Sequence, residues 1–359
     1  MKKDLVTIIM PVYNGEKYLE EALDSLLKQT LKDIQIIIVD DGSKDKTIEI
    51  CKKYQKIDER IEVIEQANSG QAKARNAGLK QARGKYVMFL DADDTYNEDT
   101  CEVMFQIAER ENADYVNANY IMMDDDGTKW PNPAFDVEKY TNFELHISDY
   151  KKSFFVMNST PWNKIYNIEF LRNNGIDFAI NPPSEDDYFT TLCYMKAKKG
   201  YYTNTVIYNY RNNLQSTSNV CSKEYFKKIN EAYKRIYTNF KNNKKIGFYR
   251  YYYAKKNSYL LCRLIDTELL SDEEKIDCLK DLKWYFDLAE EIKVLAQHES
   301  LKLIMQNIKK ENYEEAIIEM NKLKEIRKGY SVQIKNRMSF PTAENYEEIS
   351  KYDNLFINE

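Results

Sequence analysis

The sequence predicts an α/β fold: a mostly parallel sheet flanked by helices in the first half, then an α-helical C-terminal region. Three observations point there. Four short β-branched runs alternate with helical patterns over the first 120 residues, and that order builds a parallel sheet covered by helices on both faces. The run "IIIV" (36–39) is apolar throughout, as a strand buried on both sides must be. Six of the ten glycines fall before residue 128, in connections such as Asp41-Gly42 and Ser69-Gly70, where close turns are needed.

In order, "VTIIM" (6–10) precedes an amphipathic stretch from Glu16 to Lys28, and "IQIIIV" (34–39) precedes a helix from about Asp45. "IEVIEQ" (61–66) leads to a helix from about Gly70, and "KYVMFL" (85–90) to one from about Glu98. Further on, "DDDG" (124–127) reads as a turn, and Pro131, Pro133, Pro161, Pro182 and Pro183 break any long element. From about Lys223 the pattern is helical. "SDEE" (271–274) matches a capping box, with Ser271 as N-cap and Glu274 reaching back, and opens a helix through about Ala296. A helical hairpin follows over 299–309 and 312–327, and the tail after Lys328 reads as irregular. The expected domains are 1–220 and 221–359.

Composition narrows the function. With 359 residues and 43% hydrophobic content, the chain can bury sizeable cores. Its longest apolar runs, such as "VTIIM", are too short to span a bilayer, and "MKKDLVTIIMPVYN" lacks the long apolar core and cleavage site of a secretory signal. A cytoplasmic location, or one at the inner face of a membrane, is expected. The six cysteines form no C-x-x-C pair and read as reduced and buried. Only His146 and His298 exist, neither in a motif, so carboxylates must do the acid–base and metal work. A net charge of −5 and the absence of any binding module disfavour nucleic acid. Neither G-x-G-x-x-G after a strand nor G-x-x-x-x-G-K-[ST] occurs.

Ligands of such sheets bind beyond the carboxyl ends of the strands. Those ends carry Pro11-Val12-Tyr13-Asn14, Asp40-Asp41-Gly42-Ser43, Asn68-Ser69-Gly70 and Asp91-Ala92-Asp93-Asp94. In an extended backbone Asp91 and Asp93 would present both carboxylates to one ligand. Oxygen ligands of that kind suit Mg²⁺ or Mn²⁺ completed by substrate phosphates. Taken singly, each motif is ordinary turn or cap chemistry.

Taken together, these motifs resemble the family 2 glycosyltransferases, inverting enzymes of the GT-A fold that include bacterial polysaccharide- and glycolipid-building members. The resemblance covers about residues 5–220 and rests on "VTIIMPVYNGEKYLEEALDSLLKQT", "IIIVDDGSKDKT", "NSGQAKARNAGL", "GKYVMFLDADD", "WNK" (162–164) and "EDDYF" (185–189). It implies that Pro11, Tyr13 and Asp41 hold the nucleobase of a nucleoside diphosphate sugar, expected to be a UDP-sugar, with Tyr13 stacking and Asp41 accepting from a uracil-type N–H. It further implies that Asn68 and Arg75 contact the nucleoside, that Asp91, beside Ala92, contacts the ribose, and that Asp93 ligates Mn²⁺ or Mg²⁺ on the diphosphate. Asp186 carries over as the base that deprotonates a glycan or lipid-linked acceptor, and Glu185 orients the sugar or acceptor. Lys164 and Arg211 are candidate cations for the diphosphate or acceptor. Where relatives often place a metal-site His, this chain has Asn213. A non-catalytic nucleotide-sugar-binding or scaffold subunit is the alternative.

The segment Lys223–Lys256 holds eleven Lys/Arg, two acids and ten aromatics, including "FYRYYY" (248–253). It reads either as bundle helices with a solvated basic face or as a peripheral contact with anionic lipid. The helical region is open to an acceptor, membrane or self-association role.

Overall fold

A computed structural model describes residues 4–131, 143–145, 158–178, 183–212, 221–294 and 299–328. Asn213, His146, His298, Ala296 and the tail after Lys328 lie outside the described residues. The chain divides into two compact units, one holding the described residues up to 212 and the other those from 221 on.

The first unit opens β1 (Val6–Val12), α1 (Leu19–Leu27), β2 (Ile34–Asp40), α2 (Thr47–Ile57), β3 (Ile61–Glu65), α3 (Gln71–Gln81), β4 (Tyr86–Phe89), β5 (Thr95–Tyr96) and α4 (Thr100–Glu111). It continues with β6 (Tyr115–Met123), β7 (Lys129–Pro131), β8 (Phe143–Leu145), β9 (Lys164–Asn167), α5 (Ile168–Asn173), α6 (Glu185–Lys196) and β10 (Gly200–Arg211). The sheet order is β3-β2-β1-β4-β9-β6-β10-β5, with β7 on β6 and β8 on β10. Strands β3, β2, β1 and β4 pair in parallel. Antiparallel β9 then joins β4 to β6, and β10 returns parallel to β6. The parallel part is the one whose βα alternation the sequence announces, and β1 and β2 are buried along their full length. Pro11 costs β1 nothing: its ladder to β4 ends where Leu90 N donates to Ile9 O (3.1 Å), so the missing N–H is not needed.

Helix α1 starts at Leu19 rather than Glu16. The cause is local: Asn14 adopts a left-handed φ of 51°, and the amides of Asn14, Gly15 and Glu16 donate to Ser43, Thr47 and Asp45 side chains in the next loop instead of opening a helix. The "DDDG" turn is present between β6 and β7, closed by Gly127 N donating to Asp124 O (2.9 Å) with Gly127 at φ 81°.

The second unit comprises α7 (Lys223–Asn242), α8 (Ile246–Asp266), α9 (Asp272–Glu291), α10 (Glu299–Lys309) and α11 (Tyr313–Lys328). The capping box forms as read: Glu274 N donates to Ser271 Oγ (3.2 Å) and Ser271 N to Glu274 Oε2 (2.9 Å). Helix α9 stops at Glu291, short of Ala296. Lys293 turns left-handed (φ 53°) and Val294 N donates back to Ala289 O (2.8 Å), a Schellman-type ending.

The aromatic-belt part of the interfacial reading of 223–256 requires correction. Phe226, Ile229, Tyr233, Ile236 and Phe240 of α7 and Tyr249, Tyr251, Tyr252 and Tyr253 of α8 are all buried, so these rings form core rather than a belt at lipid headgroups. Arg250 is fully buried and its Nε donates to Ile292 O (2.7 Å). Helical spacing already offered this packing, and burial of the apolar stripe outweighs the basic composition. All six cysteines are free and buried. No described helix is long and apolar enough to cross a membrane.

Candidate active site

The first three strand ends are laced into one rim. Asp41 N donates to Val12 O (2.8 Å), which sets Asp41 beside Tyr13. The Asp41 carboxylate then accepts from Ser69 N (2.9 Å), Gly70 N (2.8 Å) and Gln66 Nε2 (2.7 Å), drawing the β3–α3 loop onto the end of β2. Gly42 is required there: its φ is 75°, and a Cβ would stand 2.8 Å from Asn68 N. Tyr13 stays 47% exposed although it is a large aromatic, and Asn68, in the loop drawn onto the end of β2, is exposed as well. Pro11 is buried within β1.

Helix α3 lies unusually close to the sheet, since a Cβ on Gly78 would approach Ile9 Cγ2 to 2.5 Å. That closeness buries Arg75 completely. Its guanidinium donates to Asp91 Oδ1 (2.8 Å) at the end of β4 and to Asp186 Oδ1 (2.5 Å) in the first turn of α6. Gln71 Nε2 also reaches Asp91 Oδ1 (3.1 Å). The Phe178 ring lies 5.1 Å from the guanidinium and stacks on Phe189 of α6 at 4.1 Å. Asn76 brackets the Phe178 backbone with two hydrogen bonds, 2.9 and 3.0 Å. Asp91, Arg75 and Asp186 are thereby brought into one chain of contacts.

The acidic motif is a turn, not an extended segment. Asp94 N donates to Asp91 O (3.1 Å), so alternation along a strand does not orient Asp91 and Asp93. The physical reason is Asp94, which is buried and accepts from Tyr208 OH (2.6 Å) and Arg211 N (2.6 Å). Burial, then the charges of Asp93 and Asp91, push its carboxyl well above the usual range. This third acid fastens β10 to the turn. Among the described residues no three His, Cys, Asp or Glu side chains converge on a metal position. Asp91 and Asp93 are partly open in this turn, a donor set of one or two carboxylates compatible with a hard cation whose shell is completed by phosphate and water.

Two expected cations have structural engagements. Arg211 Nε donates to Asp93 O (2.8 Å) and its Nη2 to Glu21 Oε2 (2.5 Å), with the guanidinium 4.6 Å from the Tyr18 ring. Lys164 is fully buried, and its Nζ donates to Asn158 Oδ1 (2.5 Å), Thr160 O (2.6 Å) and Asn163 Oδ1 (2.8 Å). Both hold loops that border the acids.

Helix α6 begins at Glu185, but Ser184 does not cap it: Ser184 is left-handed (φ 75°) and its side chain makes no capping bond. Strain of this kind persists where surroundings enforce it and collects at functional sites. Glu185, Asp186 and Asp187 occupy the positive end of the helix dipole. A third of the Asp186 side chain is open to solvent. Burial of the carboxyl among protein groups, opposed by the Arg75 charge and reinforced by Glu185, Asp91 and Asp187, pushes it up to about 8. Burial likewise raises Glu185, against the pull of Arg75. Sequence reasoning passed over Asn76, Phe178, Tyr208 and Glu21. Asn76 adjoins Arg75 in "ARNAG" and Glu21 lies within the first quoted stretch, so both could have been taken, whereas Phe178 and Tyr208 sit outside the stretches quoted above.

The model of glycosyl transferase family 2 matches residues 7–171. EpsJ of Bacillus subtilis, an uncharacterized glycosyltransferase, is 32% identical over 255 residues, which are 69% of this chain and 70% of EpsJ. The chain belongs to glycosyl transferase family 2. Glycosyltransferase GlyA of Streptococcus pneumoniae is 34% identical over 239 residues, 64% of this chain but only 34% of GlyA. Among solved structures, S. aureus TarS 1-349 in complex with UDP-GlcNAc superposes with a TM-score of 0.68 at 21% identity, covering 89% of this chain and 92% of that one. At that identity the likeness speaks for the fold alone.

Proposed function

We propose that this member of the family is an inverting glycosyltransferase that moves a hexosyl or N-acetylhexosaminyl group from a UDP-sugar to a hydroxyl of a glycan or glycolipid, with Mn²⁺ or Mg²⁺ as cofactor. The observation that carries this reading is the Asp91–Arg75–Asp186 chain. It brings the acids of the donor motif to a carboxylate 111 residues further along than Arg75. TarS was solved with UDP and with UDP-GlcNAc, and the mannosyltransferase PcManGT from Pyrobaculum calidifontis, with a TM-score of 0.52, with GDP-Man and Mn²⁺.

Exposed Tyr13 stacks on the base while Asp41 accepts from its ring N–H and Asn68 closes the rim. Asp91 holds the ribose. Asp93 is the ligand for the divalent cation, whose role when bound is to stabilise the diphosphate leaving group, so no carboxylic acid is needed to protonate it. Asp186 takes the proton of the acceptor hydroxyl, and a carboxyl raised towards neutrality suits that task. Attack from the face opposite the diphosphate gives a β-linked product from an α-linked donor. Residues 1–220 form the catalytic domain, working in the cytoplasm or at the inner face of a membrane, and the helical region serves the acceptor, a membrane contact or self-association.

The test is a screen of UDP-sugars for hydrolysis with Mn²⁺, with Mg²⁺ and with chelator, since transfer to water needs no known acceptor. Release of UDP from one or a few donors, abolished by chelator and restored by metal, is expected. Binding of UDP without turnover of any donor would favour the scaffold alternative.

A further inference from the structure

Arg75 holds two carboxylates that belong to different tasks. Nη2 donates to Asp91 at 2.8 Å and Nη1 to Asp186 at 2.5 Å. The guanidinium is fully buried, lies against the Phe178 ring at 5.1 Å, and belongs to a helix anchored by Asn76 on the backbone of that same Phe178. A planar fork with fixed donors can set two carboxylates at a defined separation, which a lysine point charge cannot do.

We propose that Arg75 is a positioning residue that aligns Asp186 with the guanidinium that also grips Asp91, so the base is in register with the donor site only while both grips hold. The inference rests on the base reading of Asp186. The groups facing Asp186 are Arg75 from α3, Asp91 from the end of β4, Glu185 and Asp187 from its own helix, and Tyr166 from β9. Arg75 is the cation in that set. Without its double grip, like charges on Asp91, Glu185 and Asp187 act on Asp186 unopposed, and the carboxyl keeps its proton to higher pH.

Arg75→Lys keeps the charge and loses the fork. With the UDP-sugar that the screen shows to be hydrolysed fastest, kcat falls by about tenfold and KM rises. In Arg75→Gln, which removes the charge as well as the fork, the acid limb of kcat/KM moves to higher pH, a change that a merely structural role does not produce. In an Asp186→Asn background Arg75→Lys lowers kcat no further, because the group that Arg75 aligns is already gone. Asp91→Asn is the second variant, guarding against a misfolded Arg75→Lys: it loosens the other grip while Arg75 stays in place, and lowers kcat as well as raising KM. An equal fall in kcat with and without Asp186, an unmoved acid limb, or an Asp91→Asn protein with unchanged kcat would each overturn the proposal. Full turnover in Asp186→Asn alone removes the base reading and this inference with it. A loss there combined with additive Arg75→Lys removes the inference only.

Discussion

Arg75 in the first unit and Arg250 in the second are both fully buried, and each makes a contact of a different kind. Arg75 stands between two carboxylates, with Glu185, Asp187, Asp93 and Asp94 among the acids around that crevice. Arg250 donates to the Ile292 carbonyl, just past the end of α9. A buried cation that satisfies a helix-end carbonyl completes a fold. One outnumbered by acids leaves negative charge that is relieved by protonation of a carboxyl or by a bound cation. An excess of carboxylate over buried cation suits a ligand site, whereas burial of charge alone does not point to one.

The sharpest way to break the comparison is to remove Arg250. Arg250→Ala leaves a buried carbonyl without its donor and a cavity where the side chain lay, so it should cost about 3 kcal/mol of stability in the helical unit. Denaturant unfolding followed by circular dichroism measures this. The comparison predicts that the folded fraction of Arg250→Ala keeps its affinity for UDP. A loss of UDP binding in folded Arg250→Ala would place that arginine in the function it is here denied.

A smaller effect tests the structural acid of the turn. Tyr208→Phe deletes the 2.6 Å hydrogen bond to buried Asp94 and should cost about 1–2 kcal/mol. Asp94 keeps Arg211 N as its other partner, so the fold survives. Thermal unfolding should show the loss. A variant with unchanged melting temperature would mean that Asp94 does not need Tyr208 to stay in place.

Much of the first unit was legible in the sequence because chemistry and periodicity coincide there. The uniformly apolar "IIIV" required a strand buried on both faces, and β2 is one. In the second unit, too, Ser271 and Glu274 stand at the spacing that makes a capping box, and both bonds form. What stayed illegible depends on contacts across long sequence separations. Nothing local to Arg75 announces Asp186, nor does anything local to Asp94 announce Tyr208, 114 residues away. Lys164 and Arg211 looked like ligand cations because a sequence shows charge without showing burial. Their amino and guanidinium groups are occupied by Asn158, Thr160 and Asn163 in one case and by Glu21 and the Asp93 carbonyl in the other. The tyrosines of 248–253 misled in the same way, since rings that suit an interface suit a core equally well.

In the proposed mechanism donor binding and proton removal belong to different acids joined by Arg75. Calorimetric titration of UDP with Mn²⁺ into Asp93→Asn and Asp186→Asn tests it most directly, with hydrolysis of the preferred UDP-sugar measured on the same samples. Asp93→Asn should bind UDP at least about tenfold more weakly in the presence of metal. Asp186→Asn should bind it much as the unaltered protein does, while turnover falls by roughly 10²–10⁴, the usual worth of a positioned base. Equal loss of UDP binding in both variants would contradict the account and return Asp186 to the donor site.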